Sequence, residues 1–333
     1  MQDFKGYLNI IRKKMKTFMA AAAGRNFLFF LILAVLVSGL SVSIQAKLKN
    51  DDSLVQNRDK SLIRIGKEKA DTIDLLVVGD SLSYTSVFPA QLWKEKGIAS
   101  YICGQPGQKL PELYEVLETA LREQNPKVVM IETNVLFRKI KGVQGFAETL
   151  EGRAGELFPV FRFHDIWKSV LLGKRYREAS SKGFRIREWT GAYHGGNYMK
   201  KTKKIKHLSC MTEHYIDQIL ELCRQKGIQV LLYSAPSPHN YNYKKHNALV
   251  KMAKNKGLKY LDLNLKTAEL QINWMTDSLD RGDHLNLKGA EKVTSYLAAY
   301  LTEQYHLPDR RGDERYQSWQ TDADRLSSKM REG

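Results

Sequence analysis

Apolar and polar residues fall along this chain in three regimes. Residues 26–46, NFLFFLILAVLVSGLSVSIQA, carry no charge and are dense in Leu, Phe, Val and Ile. A bilayer core about 30 Å thick takes about 20 apolar residues in a helix, so this stretch predicts one transmembrane helix. Residues 47–70 are polar and mixed in charge, as suits a stalk. Beyond them, short apolar runs alternate with helical patterns. IDLLVVGD (73–80), KVVMIET (127–133) and IQVLLYSA (228–235) read as strands buried on both faces, with SYIC (100–103) and YLDLN (260–264) as shorter ones. Helices are expected at 89–97, 110–124, 211–227, 243–257 and 287–305, several of them ended by Gly227, Gly257, Asn125-Pro126 or Pro308.

Strands alternating with helices of this length predict βαβ units, hence an α/β domain over residues 71–308 with a central parallel sheet. No period of 20–50 residues repeats, which excludes a solenoid. Residues 138–206 break the alternation, are rich in Arg, Lys, Gly and aromatics, and read as an insertion shaping the substrate side of the sheet. Residues 309–333 read as a polar C-terminal tail in which Trp319 is the one group suited to docking back.

Charge decides the topology. Lys5, Arg12, Lys13, Lys14, Lys16 and Arg25 precede the apolar segment against a single Asp3. By the positive-inside rule residues 1–25 are a cytoplasmic tail and the domain lies outside the cytoplasm, a single-pass protein of the cell membrane. The rival is a cleaved signal peptide with an unusually long basic region and a poor cleavage site at Ile44-Gln45-Ala46. Either way a cytosolic substrate or nucleotide cofactor is not expected, and no cofactor is expected. The formal net charge of +17 suits anionic lipid or wall polymer. Nucleic acid is not expected as a partner: the run Lys200, Lys201, Lys203, Lys204, Lys206 has no interleaved aromatics for base stacking and reads as a solvated loop. Three cysteines, Cys103, Cys210 and Cys223, without a CxxC spacing argue against a disulfide framework or zinc site; one bridge stays open as an alternative, and three buried, inert thiols with no metal bound are expected.

The candidate chemistry sits at strand ends, where open parallel sheets collect functional groups. The first strand ends in Gly79-Asp80-Ser81-Leu82-Ser83. A serine there has an exposed hydroxyl beside helix N–H groups, although the same position suits a helix cap. Ser83 stands where a GxSxG elbow needs its second glycine. The second strand runs into Cys103-Gly104, whose glycine lets a backbone N–H approach a ligand, and the third into Glu132-Thr133-Asn134, which offers an amide donor. Asp280-Arg281-Gly282-Asp283-His284-Leu285-Asn286 precedes the last helix and supplies a base with an acid nearby.

In these blocks the chain resembles the SGNH, or GDSL-type, hydrolase superfamily over about residues 73–137 and 228–305. The resemblance implies a flavodoxin-like three-layer sandwich, Ser81 as nucleophile and His284 as base. It also implies an oxyanion hole from the N–H groups of Ser81 and Gly104 and the Asn134 amide. Two positions depart from the pattern. Glu132 and Val135 replace a Gly and an Asp around Asn134, and the usual acid position, three before the histidine, is Arg281. Asp280 and Asp283 remain candidates to orient His284, with Asp280 preferred because adjacent side chains of an extended chain point apart. The chain is further similar to a membrane-anchored branch that acylates wall polymers, as in teichoic acid D-alanylation and alginate-type acetylation. That implies O-acyl transfer to a surface glycan or teichoic acid beside a polytopic membrane acyltransferase. An esterase and a non-catalytic partner of such an acyltransferase are the alternatives. Tyr193, His194, Tyr241, Tyr243 and the loop Ser234–Pro238 are candidate pocket walls.

Overall fold

The computed structural model of the protein describes residues 2–56, 58–140, 154–155, 157–163, 165–176 and 180–332, so 141–153, within the expected insertion, lie outside them. Its centre is a five-stranded, all-parallel sheet of β1 (Leu75–Val78), β2 (Ser100–Ile102), β3 (Val128–Glu132), β4 (Gln229–Ser234) and β5 (Lys259–Asp262). The spatial order is β2-β1-β3-β4-β5. Leu75 pairs with Ser100 on one side and Val128 on the other. Leu75 to Val78 are wholly buried, which is why the run reads as unbroken apolar sequence rather than alternation.

The helices are α1 (Gln2–Asn50), α2 (Lys60–Ile65), α3 (Ser81–Ser86), α4 (Pro89–Lys96), α5 (Leu110–Ala120), α6 (Pro159–Arg162), α7 (Ile166–Leu171), α8 (Cys210–Gln225), α9 (Tyr243–Lys256), α10 (Leu287–Tyr305) and α11 (Gln317–Glu332). Local chemistry sets their ends. Pro89 opens α4 and Gly97, at φ +64°, closes it in the left-handed conformation; Asn242 caps α9 by accepting from the N–H groups of Lys244 and Lys245. Helices α10 and α11 both pack on α4, while α5 packs on α8.

Within α1, Gly24–Asn50 is long and apolar enough to cross a membrane, and Phe27, Phe29 and Leu36 stand exposed on it. Two outer segments differ from expectation. Residues 47–70 are no loose stalk: α1 runs on to Asn50, Leu54, Val55 and Ile65 are buried, and the Tyr101 hydroxyl donates to the carbonyl of Ser61 at 2.9 Å. Those three apolar residues are widely spaced in a charged segment, so composition hides them. Residues 309–332 are likewise part of the fold. Arg310 holds the buried Asp74 through two hydrogen bonds of 2.9 and 2.7 Å, and α11 lays Trp319, Ala323 and Leu326 into the core. Trp319 lies 6.4 Å from the Trp93 ring and donates its Nε1–H to Ser100 O on β2 at 2.9 Å. Its burial satisfies the polar end of the indole as well as the apolar one. Of the cysteines, Cys103 and Cys223 are buried, but Cys210 opens α8 and is exposed.

Trp319→Ala removes a fully buried indole together with its hydrogen bond, and should cost about 3–5 kcal/mol. Guanidinium unfolding followed by circular dichroism measures this; an unchanged midpoint would show that α11 is dispensable.

Candidate active site

The order β2-β1-β3 puts a topological switch between β1 and β3, the crevice where open α/β sheets bind ligands. The chain leaves β1 through Gly79, at φ +147°, where a Cβ would lie 2.7 Å from that of Glu132. Asp80 then caps α3 by accepting from Leu82 N–H at 3.0 Å, which fixes Ser81 as the first residue of the helix. Ser81 Oγ lies 2.7 Å from His284 Nε2.

His284 is delivered by a tight loop. Ser278 bridges to Leu285, Leu279 N–H donates to the carbonyl of His284, and Arg281 (φ +59°) and Gly282 (φ +94°) reverse the chain between them. That reversal puts Asp280, four residues before the histidine, against it: Oδ1 accepts from the His284 backbone N–H and Oδ2 lies 2.7 Å from Nδ1. Asp283 Oδ1 stands 3.7 Å from Nδ1 and is engaged by the Asn240 side-chain amide. Of the two candidate acids, Asp280 therefore faces the imidazole. With Nδ1–H donating to Asp280, Nε2 is left to accept from the Ser81 hydroxyl. The side chains of Asp280, Asp283 and His284 also bring three potential ligand atoms within 4.8 Å, each already engaged by a neighbouring side chain.

Burial of His284 disfavours the imidazolium, but the Asp280 hydrogen bond and the charges of Asp283, Asp280 and Asp80 outweigh it and hold its pKa above the ordinary 6.5. Asp280 is pushed up by burial and drawn further down by His284, so it stays below the usual carboxylate range.

Gly104 and Asn134 flank the serine at the ends of β2 and β3. A Cβ on Gly104 would fall 2.0 Å from Ser83 Oγ, so this position admits no side chain. Cys103 and Gln105 donate their N–H groups to Val77 and Gly79, whereas those of Gly104 and Ser81 have no partner among the described residues. The Asn134 amide donates from Nδ2 to Asp80 Oδ2 at 2.7 Å, and its Oδ1 accepts from Lys245 Nζ at 3.1 Å. Since an amide nitrogen carries two N–H bonds, one remains.

Four residues at this edge carry no motif that sequence reading recognises. Arg138 binds Asp80 Oδ2 through Nε at 2.8 Å and Nη2 at 2.6 Å. Lys245, on α9, joins the Asn134 amide to the carbonyl of Asn240 at 2.6 Å; burial pulls its pKa down to about 8, although Glu132 and Asp80 attract its charge. Asn240 in turn holds Asp283, so a polar chain runs from Asn134 to the histidine loop. Glu132, noticed in the sequence only as a departure, is buried and accepts from the N–H groups of Asn134 and Ala235; burial and Asp80 keep its carboxyl well above the usual range.

The expected pocket walls are mostly buttresses. Tyr193 packs edge-on against His239 and Trp274 and lies where a Cβ on Gly282 would strike its ring. Tyr241 is buried, its hydroxyl 3.1 Å from Asp262. Ser237 donates to the carbonyl of Asp283 at 2.6 Å, so the 234–238 loop supports the histidine loop from beneath.

The solved structures similar to this one include an acylhydrolase, a G-D-S-L family lipolytic protein, a GDSL-like lipase and esterases. They include a family 3 carbohydrate esterase of Clostridium thermocellum, at 17% identity and TM-score 0.37, covering 71% of this chain and 98% of that one. A G-D-S-L family protein of Desulfitobacterium hafniense follows at 15% and 0.36, covering 68% and 97%. An acetyl xylan esterase of Butyrivibrio proteoclasticus stands at 11% and 0.35, covering 71% and 65%. At these identities and TM-scores the likeness says nothing of activity or substrate. No protein-family model and no curated protein matches the sequence.

A raised histidine pKa has a definite sign: His284 contributes stability at pH below 6.5, and loses it as pH climbs through its folded value. Imidazole NMR on labelled protein should give a His284 midpoint above 6.5, and Asp280→Asn should lower it. A wild-type midpoint below 6.5 would contradict the pairing with Asp280.

Proposed function

We propose that this protein is an SGNH-type serine acyl-ester enzyme working outside the cytoplasm through an acyl-Ser81 intermediate. The observation that carries the reading is the continuous relay Asp280–His284–Ser81, with both links at 2.7 Å. Such a chain activates a hydroxyl that is otherwise a poor nucleophile.

In the proposed sequence, His284 Nε2 takes the Ser81 proton as Oγ attacks the ester carbonyl. The oxyanion is held by the N–H groups of Ser81 and Gly104 and the second N–H of Asn134. Each such donor is worth about 10²–10³ in rate. The imidazolium, steadied by Asp280, gives its proton to the departing alkoxide and leaves the acyl group on Ser81. An acceptor hydroxyl, deprotonated by the same His284, then attacks the acyl group and releases the serine. Lys245 orients Asn134 by accepting none of its N–H bonds and donating to its oxygen, so that Nδ2 points toward the serine side.

The finer reading is O-acyl transfer to a cell-surface polysaccharide or teichoic acid, with a polytopic membrane acyltransferase as the source of acyl groups. It is supported by the apolar helix that precedes the domain and by the formal net charge of +17, which favours an anionic acceptor. Release of the acyl group to water is the alternative outcome of the same site.

Chromogenic acetate should be turned over by the wild-type chain, and a fluorophosphonate should label it; Ser81→Ala should abolish both. Asp280→Asn should lower kcat on the order of 10⁴-fold. Turnover surviving in Ser81→Ala would remove this serine from the chemistry. Mass spectrometry with an added teichoic acid or oligosaccharide separates transfer from hydrolysis: acylated polymer supports the first, free acid alone the second.

A further inference from the structure

Helices α6 and α7 turn the wrong face outward for a water-soluble surface. Pro159, Ile166 and Ser169 are buried, and Ile166 clusters with Leu48, Leu54 and Val55 at the end of α1. Outward stand Leu157, Phe161, Trp167, Val170, Leu171 and Leu172, of which Leu157, Leu171 and Leu172 are 73%, 74% and 75% exposed. A surface helix ordinarily shows polar residues there, and a contiguous apolar patch marks a contact. Lys168, Lys174 and Arg175 fringe it, with Lys168 over the Trp167 ring and Lys174 over that of Tyr176. Tryptophan with flanking lysine and arginine is the composition of a membrane–water interface.

The position of the patch names its occupant. Helix α6 packs on α1, and Val160 N–H donates to Ser41 Oγ at 3.4 Å. Counting about 20 residues of helix from Asn26 puts the outer edge of the apolar slab near residue 45, at 1.5 Å per residue. Ser41 then lies about 6 Å inside that edge, within the roughly 5–10 Å depth that interfacial helices reach. A segment tied to α1 at that depth meets lipid before it meets anything else.

We propose that the outward face of α6 and α7 is a second membrane contact, seated in the outer interface of the bilayer with its basic fringe on anionic headgroups. This rests on reading α1 as membrane-spanning, and goes beyond it. The contact fixes the tilt of the domain and not merely its attachment. It also stands close to the site: Arg162 on α6 pairs with Asp59 at 3.3 Å, and Asp59 accepts from the side chain of Gln105, the neighbour of Gly104.

The test uses the full chain in vesicles of phosphatidylethanolamine and phosphatidylglycerol. In a Cys210→Ser background the two remaining native thiols are buried, so single cysteines can carry an environment-sensitive fluorophore. Leu171→Cys reads the proposed contact, Leu31→Cys the apolar stretch of α1, and Lys251→Cys, on exposed α9 surface, a water-facing control. The expected result is a blue-shifted label at 171 that loses several-fold more emission to doxyl-lipids than the label at 251. A label at 171 as wet as that at 251, with 31 quenched, overturns the contact and leaves the anchor standing. No quenching at 31 removes the anchor and the contact together. A blue-shifted label at 171 that no doxyl-lipid quenches means that protein covers the face, which also overturns the proposal.

Discussion

One buried carboxylate organises the edge of the sheet where the candidate site lies. Asp80 has no exposed surface, and it sits between the serine and the asparagine at the switch of the sheet. Its oxygens are met by Leu82 N–H, the Asn134 amide and the Arg138 guanidinium. Leaving such a charge unpaired costs several kcal/mol, so the three partners are held wherever Asp80 is held. The cap on α3, the rotamer of Asn134 and the start of the segment beyond β3 are thereby one arrangement. Glu132 completes it from below: with the cation committed to Asp80, its own carboxyl is driven toward the neutral form by burial and by that neighbour.

The same edge is braced from the far side. Lys245 reaches from α9 to Asn134 and to the Asn240 carbonyl, and Asn240 grips Asp283 beside the histidine. The two halves of the proposed chemistry, charge stabilisation at Asn134 and proton transfer at His284, are therefore mechanically joined. Ser237 and Tyr193 pack beneath the histidine loop, and the left-handed turn at Arg281 and Gly282 leaves it one shape.

Much of this was legible in sequence because the signals were short-range. Buried parallel strands read as apolar runs, and Gly97, Gly227 and Gly257 end their helices by a rule that needs only the glycine. The positions Ser81, Gly104, Asn134 and His284 each fall at a strand end or a helix start, so coarse assignment sufficed to bring them to one edge. What escaped depended on distance in the chain. Arg138 and Lys245 are ordinary cations in sequence, and only folding puts them over Asp80 and Asn134. In the tail only Trp319 stands out in sequence, because Trp319, Ala323 and Leu326 make a narrow stripe on an otherwise charged helix. Asp280 could be preferred but not chosen, since the spacing alone does not reveal the reversal at residues 281–282.

Helix α1 enters the domain with almost no slack: it ends at Asn50, and by Leu54 and Val55 the chain is already packed. A long linker would let a tethered domain sweep a hemisphere and find its partners by search. Here the domain is mounted more like a turret on a post, so any tilt of the post becomes a tilt of the whole body. The working radius of Ser81 is then set by the dimensions of the protein itself.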